Sequence, residues 1–147
     1  MPPKEEVLLQ LAKGLDHIHQ IGLVHRDIKP ENVLIWLNPE QDKVLMKWAD
    51  FGFSKQVSER GTFSMTSGIK GTHDWLAPEI LKLLDDDNFT ENTEIKKGTV
   101  KSDVFAEGLV FGYFLMDGRH PFGDPRRQIT NNVRTKKPNN LASKLKT

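Results

Sequence analysis

A mainly helical domain carrying one small β-hairpin is the fold class these 147 residues predict, on three observations. Apolar residues at 8, 11, 12, 15, 18 and 21 recur with helical spacing near the start. A second apolar stretch, SDVFAEGLVFGYFLM at 102 to 116, is apolar on most sides and so predicts a helix buried in a core. Between them, NVLIW at 32 to 36 and KVLMKWA at 43 to 49 are rich in strand-favouring residues and flank the turn-formers NPEQD, which predicts the hairpin.

The first helix is expected over Lys4 to Gln20, ending near Gly22, and a short strand LVH follows. Residues 50 to 74 have no sustained period and many Gly, Ser and Thr, so they predict a long functional loop held between packed flanks. Pro78 opens a short helix, APEILKLLD. DDDNFTENTEIKKGT reads as a polar surface loop. The buried helix after it is expected to be capped by Ser102 or Asp103, with Gly108 and Gly112 permitting close packing.

Composition narrows the class. The charged fraction of 28% is ordinary for one soluble domain. With no cysteine there is no disulfide framework or thiolate metal site, and MPPKEEVLLQ lacks the apolar run of a secretory signal, so a reducing, cytoplasmic setting is expected. The most apolar run is interrupted by Glu107, so no membrane segment is expected. Charge is uneven: from Arg126 onward there are seven Lys/Arg and no acid, against 14 bases and 20 acids in residues 1 to 125. Without an aromatic residue for base stacking, residues 130 to 147 read as a basic, flexible, solvated tail rather than a nucleic-acid site. His17, His19, His73 and His120 lack metal-ligand spacing and are expected in core or surface roles.

One stretch resists this plain reading. HRDIKPEN, residues 25 to 32, crowds acids, cations, an imidazole and an amide into a turn between apolar segments. His25-Arg26-Asp27, then four residues and Asn32, is followed 18 residues later by Asp50-Phe51-Gly52, with Ala77-Pro78-Glu79 and Asp103 beyond. Taken singly, Asp27, Asn32 and Asp50 are ordinary turn-formers. As four ordered motifs they resemble the catalytic loop, metal-binding turn and activation segment of eukaryotic protein kinases. Residues 1 to 129 therefore look like a partial, incomplete C-terminal (large) lobe of that fold.

Phosphoryl transfer needs a base at the acceptor hydroxyl, oxygen ligands for Mg²⁺ and a cation at the γ-phosphate. The resemblance implies Asp27 as base, Lys29 at the γ-phosphate, Asn32 and Asp50 as Mg²⁺ ligands, Glu31 within the ATP-binding set and Leu34 as the floor of the adenine pocket. Lys29 within Asp-Ile-Lys-Pro-Glu-Asn is similar to serine/threonine kinases. Arg26 is implied to meet a phosphorylated activation loop offering Ser58, Thr62, Ser64, Thr66 and Ser67, with Thr72 also in the regulatory set. His25 and Phe51 are expected to stack and link the two loops, Asp103 to accept backbone N–H groups of the catalytic loop, and Glu79 to lack its usual Arg partner. The cofactors implied are ATP and Mg²⁺. The partners implied are a protein bearing Ser or Thr and a second copy for trans-autophosphorylation.

Gly71-Thr72-His73-Asp74-Trp75-Leu76-Ala77-Pro78-Glu79 and Gly118-Arg119-His120-Pro121-Phe122-Gly123 look like the inositol-requiring kinase/endoribonuclease group that senses unfolded proteins, and its ribonuclease relative. That resemblance implies the cytosolic face of the endoplasmic reticulum, and nucleic acid only through a ribonuclease module outside these residues. It is expected to fade beyond Arg127. The 147 residues hold no Gly-x-Gly-x-x-Gly phosphate loop and no Val-Ala-Ile-Lys strand. The expected reading is a kinase fragment with little catalysis of its own, or alternatively a nucleotide-binding scaffold lobe controlling an attached ribonuclease.

Overall fold

The computed structural model describes residues 1–65, 68–86, 97–123 and 125–141. Helix α1 spans Lys4–Gln20, with Glu5 and Glu6 in its first turn and His17 and His19 in its last, the arrangement a helix dipole favours. It buries Val7, Leu11, Leu15 and Ile18, while Ile21, expected on the same stripe, is exposed. Strand β1 (Leu23–Val24) leads to the charged turn, a 3₁₀ turn at Pro30–Asn32, and the expected hairpin of β2 (Val33–Asn38) and β3 (Lys43–Trp48), paired from Val33↔Trp48 to Asn38↔Lys43. Gln10 ties α1 to β3: its Oε1 accepts the Met46 N–H at 2.7 Å and its Nε2 donates to the Val44 carbonyl at 3.3 Å.

Two further antiparallel ribbons form: one pairs the expected short strand with a strand in what reads in the sequence as loop, and both strands of the other lie in what reads as loop. β1 pairs with β4 (Lys55–Gln56), and β5 (Thr62–Ser64) pairs with β6 (Lys97–Thr99). Each strand is two or three residues long and its partner is distant in the chain, so no local period announces it. Of the polar loop expected after α2, residues 87–96 lie outside the described residues.

Helix α2 (Pro78–Leu84) starts on its proline and α3 spans Lys101–Leu115. The expected cap of α3 does not form. Val100 occupies the cap position without a side-chain bond, the Ser102 hydroxyl donates to the Thr99 carbonyl at 2.9 Å, and the Asp103 carboxylate turns away to the loop at residue 25. Only Gly112 of the two helix glycines is needed for close packing. A Cβ there would lie 2.5 Å from Pro121 Cγ, whereas one at Gly108 would meet nothing.

The tail expected from residue 130 is also corrected for its described part. Helix α4 (Ile129–Arg134) buries Ile129, Asn132 and Val133, Arg134 forms a two-pronged bond to Asp85 at 2.8 and 2.9 Å, and Asn140 is buried. Ile129 and Val133 supply the apolar face that the charge count obscured.

Two apolar clusters result. One joins the buried face of α1 to Ile28, Met46, Trp48, Ala106 and Val110, with the Trp48 indole N–H donating to the Leu11 carbonyl at 3.0 Å. The other joins Val24, Phe63, Leu76, Ile80 and Leu81 to α4. Seven polar side chains are buried among the described residues: Asn132 and Asn140 toward the C-terminal end, and His25, Asp27, Asn32, Asp103 and Glu107. Burying a polar group is costly unless it is hydrogen-bonded, so the last five mark where the fold holds its polar machinery. Leu15 is 2% exposed at the centre of the first cluster. Leu15→Ala should lower unfolding free energy by about 2 to 5 kcal/mol in urea denaturation, with an unchanged slope.

Candidate active site

The charged turn is held from behind by one carboxylate. Asp103 is 1% exposed. Its Oδ2 accepts the His25 N–H at 2.8 Å and its Oδ1 accepts the Arg26 N–H at 2.9 Å. Arg26 sits at φ 71°, a left-handed conformation costing a non-glycine residue roughly 1 to 2 kcal/mol, and the two charge-assisted bonds offset it. His19 at the end of α1 adds a third contact to the same carboxylate, Nε2 to Oδ2 at 2.9 Å.

His25, fully buried, then fixes its neighbours. Its Nδ1 accepts the Asp27 N–H at 3.2 Å and its Nε2 lies 2.8 Å from the Ala49 carbonyl. Because a carbonyl only accepts, these partners require the Nε2–H tautomer. Its ring packs on Phe51 with centroids 5.0 Å apart. The Ala49 N–H donates to the Asn32 carbonyl at 2.8 Å, so the residue before Asp50 is bonded to both ends of the charged turn.

Asp27 is 7% exposed and its oxygens are fully engaged. Oδ1 accepts from the Thr72 hydroxyl at 2.9 Å; Oδ2 accepts from Asn32 Nδ2 at 3.2 Å and pairs with Lys29 Nζ at 3.6 Å. Lys29 Nζ also donates to Thr72 Oγ1 at 2.9 Å. Thr72, grouped in the sequence with regulatory residues, is thus a bridge between Asp27 and Lys29. Nothing local announces it, since 45 residues separate Thr72 from Asp27. Gly71 makes the approach of this segment feasible. It lies at φ +123°, and a Cβ there would stand 2.9 Å from the Arg26 carbonyl.

Asp50 is exposed, at φ 58°, with Oδ1 accepting the Gly52 N–H at 3.2 Å. Asn32 Nδ2 is committed to Asp27, bonding its carbonyl at 2.8 Å as well, which leaves the amide oxygen as a hard ligand. No cluster of three or more His, Cys, Asp or Glu suited to a metal exists among the described residues. An Asn oxygen and one carboxylate fit instead a small hard cation that completes its shell with phosphate and water.

The remaining predicted residues divide. Glu31 does not join Asp27, Lys29 and Asn32; it is exposed on the wall of an open groove of about 400 Å³ with Asp74, Trp75, Tyr113 and Arg126. Leu34 is 58% exposed, within an apolar strip that continues through Ile35, Trp36 and Leu37. Glu79 is exposed and forms no ion pair with a described residue. Ser58 and Thr62 bond each other through their hydroxyls at 2.7 Å, and the Ser64 carbonyl accepts from Lys55 Nζ at 2.7 Å. Thr66 and Ser67 lie outside the described residues. Arg26 donates from Nε to the Phe53 carbonyl at 2.6 Å and lies over the Phe63 ring at 5.6 Å, leaving Nη1 buried without a partner. Burial lowers its pKa, against the pull of Asp103.

With this geometry in place, the comparison with known families is direct. A protein kinase domain model matches residues 3–146, so the chain belongs to the protein kinase family, and the likeness extends well past Arg127. It is 44% identical over 121 residues to the human serine/threonine-protein kinase/endoribonuclease IRE2, covering 82% of this chain and 12% of that protein. It is 34% identical over 131 residues to the Caenorhabditis elegans serine/threonine-protein kinase/endoribonuclease ire-1, covering 87% and 12%. The sensor for unfolded proteins in the ER ire1 of Schizosaccharomyces pombe is 34% identical over 129 residues, covering 80% and 12%. The chain therefore spans about an eighth of the length of these relatives.

One member of the interior set carries no signal in the sequence. Glu107, one turn beyond Asp103, is 8% exposed and its Oε1 is buried without a hydrogen-bond partner. Burial pushes its carboxyl up to about 7, with His19 pulling it down and the Asp103 charge adding to the rise. A carboxyl raised above its unfolded value of 4.5 binds its proton more tightly in the folded chain. Its stabilising contribution is therefore complete below that value and lost as pH rises through about 7. Unfolding free energy measured across this window should decline with pH, and Glu107→Gln should flatten the decline.

Proposed function

We propose that this chain carries the catalytic loop and activation segment of an ATP- and Mg²⁺-dependent serine/threonine protein kinase. The observation that supports it best is the bonded set of Asp27, Lys29, Thr72 and Asn32, standing beside the Asp50 turn. Asp27 is the base: it orients the acceptor hydroxyl and takes its proton at a carboxylate oxygen. Lys29 places a positive charge where the transferred phosphoryl group gains negative charge. Thr72 holds these two side chains together before substrate arrives. Asn32 and Asp50 are the oxygen ligands that would hold Mg²⁺, which when bound with ATP neutralises phosphate charge. Arg26, with one guanidinium nitrogen unpaired beneath the 53–65 segment, supports regulation by phosphorylation of that segment, at Ser58, Thr62 or Ser64 or at Thr66 or Ser67.

The relatives' names, a serine/threonine-protein kinase and a sensor for unfolded proteins in the ER, support a place in such a sensor with a protein substrate; we propose with it the cytosolic face of the endoplasmic reticulum and self-association for trans-autophosphorylation. No helix among the described residues is long and apolar enough to cross a membrane. Those names also pair a kinase with an endoribonuclease, which supports a second reading, a nucleotide-sensing lobe that controls an attached ribonuclease.

Asp27→Asn keeps the shape of the side chain and removes its basicity. In the intact kinase it should reduce phosphoryl transfer by a factor on the order of 10² to 10⁴ in a radiolabel assay, with nucleotide affinity retained. Undiminished transfer in that variant would overturn the role given to Asp27, and absence of transfer in the unmutated protein would favour the sensing lobe.

A further inference from the structure

Glu107 has no part in the chemistry described above, yet it is an acid buried one helical turn behind the carboxylate that holds the catalytic loop. A buried carboxyl oxygen without a partner is costly, and the usual structural uses of such a residue are missing: Oε1 caps nothing and bonds nothing. The titratable groups that act on it come from two elements, His19 of α1 and Asp103 of its own helix. Asp103 in turn contacts His19, the His25 N–H and the Arg26 N–H, so its carboxylate is the link between Glu107 and the loop.

We propose that Glu107 is a positioning residue for the catalytic loop, acting through the His19–Asp103 pair, so that the proton it holds or releases sets how firmly Asp103 grips the backbone at His25 and Arg26. The physical step is a charge change in a site with little water. With Glu107 protonated, Asp103 is the single anion of the group, and His19 and the two loop N–H groups all serve it. With Glu107 ionised, two carboxylates one turn apart repel each other and compete for His19. The contact between His19 and Asp103 loosens, and the shared oxygen, Oδ2, moves relative to the His25 N–H. A proton leaving Glu107 goes to solvent.

The role in phosphoryl transfer rests on the kinase reading, so the test measures the loop itself. The 147-residue chain is labelled with ¹⁵N and ¹³C, and the Glu107 carboxyl resonance and the His25 and Arg26 amide resonances are followed against pH by NMR. The expected result is that both amides move with the same midpoint as the Glu107 carboxyl, near 7. Glu107→Gln should remove that step while amides of the β2–β3 hairpin keep their positions. His19→Gln should reduce the movement while leaving Glu107 titrating. Amides that stay still while Glu107 titrates, midpoints that differ, or an unchanged step in Glu107→Gln would each overturn the proposal. Loss of the step in Glu107→Gln with His19 intact decides it, since His19 touches the same carboxylate, and Glu107→Met repeats the test where that variant fails to fold. Absence of Asp27-dependent transfer in the intact enzyme would sink the kinase reading alone and leave this coupling in place.

Discussion

The pair of hydrogen bonds from the His25 and Arg26 backbone to the Asp103 carboxylate is the constraint on which the rest of the site depends. It joins the helix α3 to a turn that would otherwise be free to relax. It also holds Arg26 at a positive φ, and that local reversal sends the Arg26 side chain to the 53–65 segment while Asp27 stays with Lys29 and Asn32. The His25 N–H is buried and the Arg26 N–H half-buried, so removing the acceptor would leave two unsatisfied donors, the buried one costing roughly 1 to 3 kcal/mol. The strained turn and the buried charge stabilise each other, and neither would persist alone.

Around that anchor the polar groups form a chain in which every member has an assigned partner. His25 links Asp27 to Ala49, Asn32 links Asp27 to the strand leading to Asp50, and Thr72 links Asp27 to Lys29. Such preorganisation is what phosphoryl transfer asks of a protein, since little covalent chemistry falls to the side chains and most of the barrier is lowered by position and charge. Among the described residues two buried side-chain atoms are left without a partner, Arg26 Nη1 and Glu107 Oε1. Arg26 reaches the 53–65 segment through its Nε, and Glu107 lies one helical turn from Asp103.

How much of this could be read from the sequence follows physical range. Helix α1 was legible to its ends because four turns of apolar spacing and a following glycine are local signals, and the hairpin because its turn-formers sit between two strand-rich runs. Asp27, Lys29, Asn32 and Asp50 were legible through the spacing of four motifs. Thr72 was not, since its role arises from a contact across the fold. Of the ribbons β1–β4 and β5–β6 only β1 was, as the short strand LVH, since strands of two or three residues carry no period and their partners are distant in the chain. Glu107 was used in the sequence only as an interruption of an apolar run, and the burial that gives it meaning is a property of α1 and α3 together. The last helix, α4, was hidden by its charge: the run of cations suggested a solvated tail, while Ile129 and Val133 are buried.

The central claim, that Asp103 clamps the catalytic loop from within the core, is tested most directly by native-state hydrogen exchange at two amides. With the clamp as described, the His25 and Arg26 N–H groups should exchange only through opening events as costly as those that expose the core amides of α1. Exchange at these two positions as fast as in the exposed Ser58–Gly61 turn would show that the carboxylate does not hold the loop, and the account of the site would fail with it.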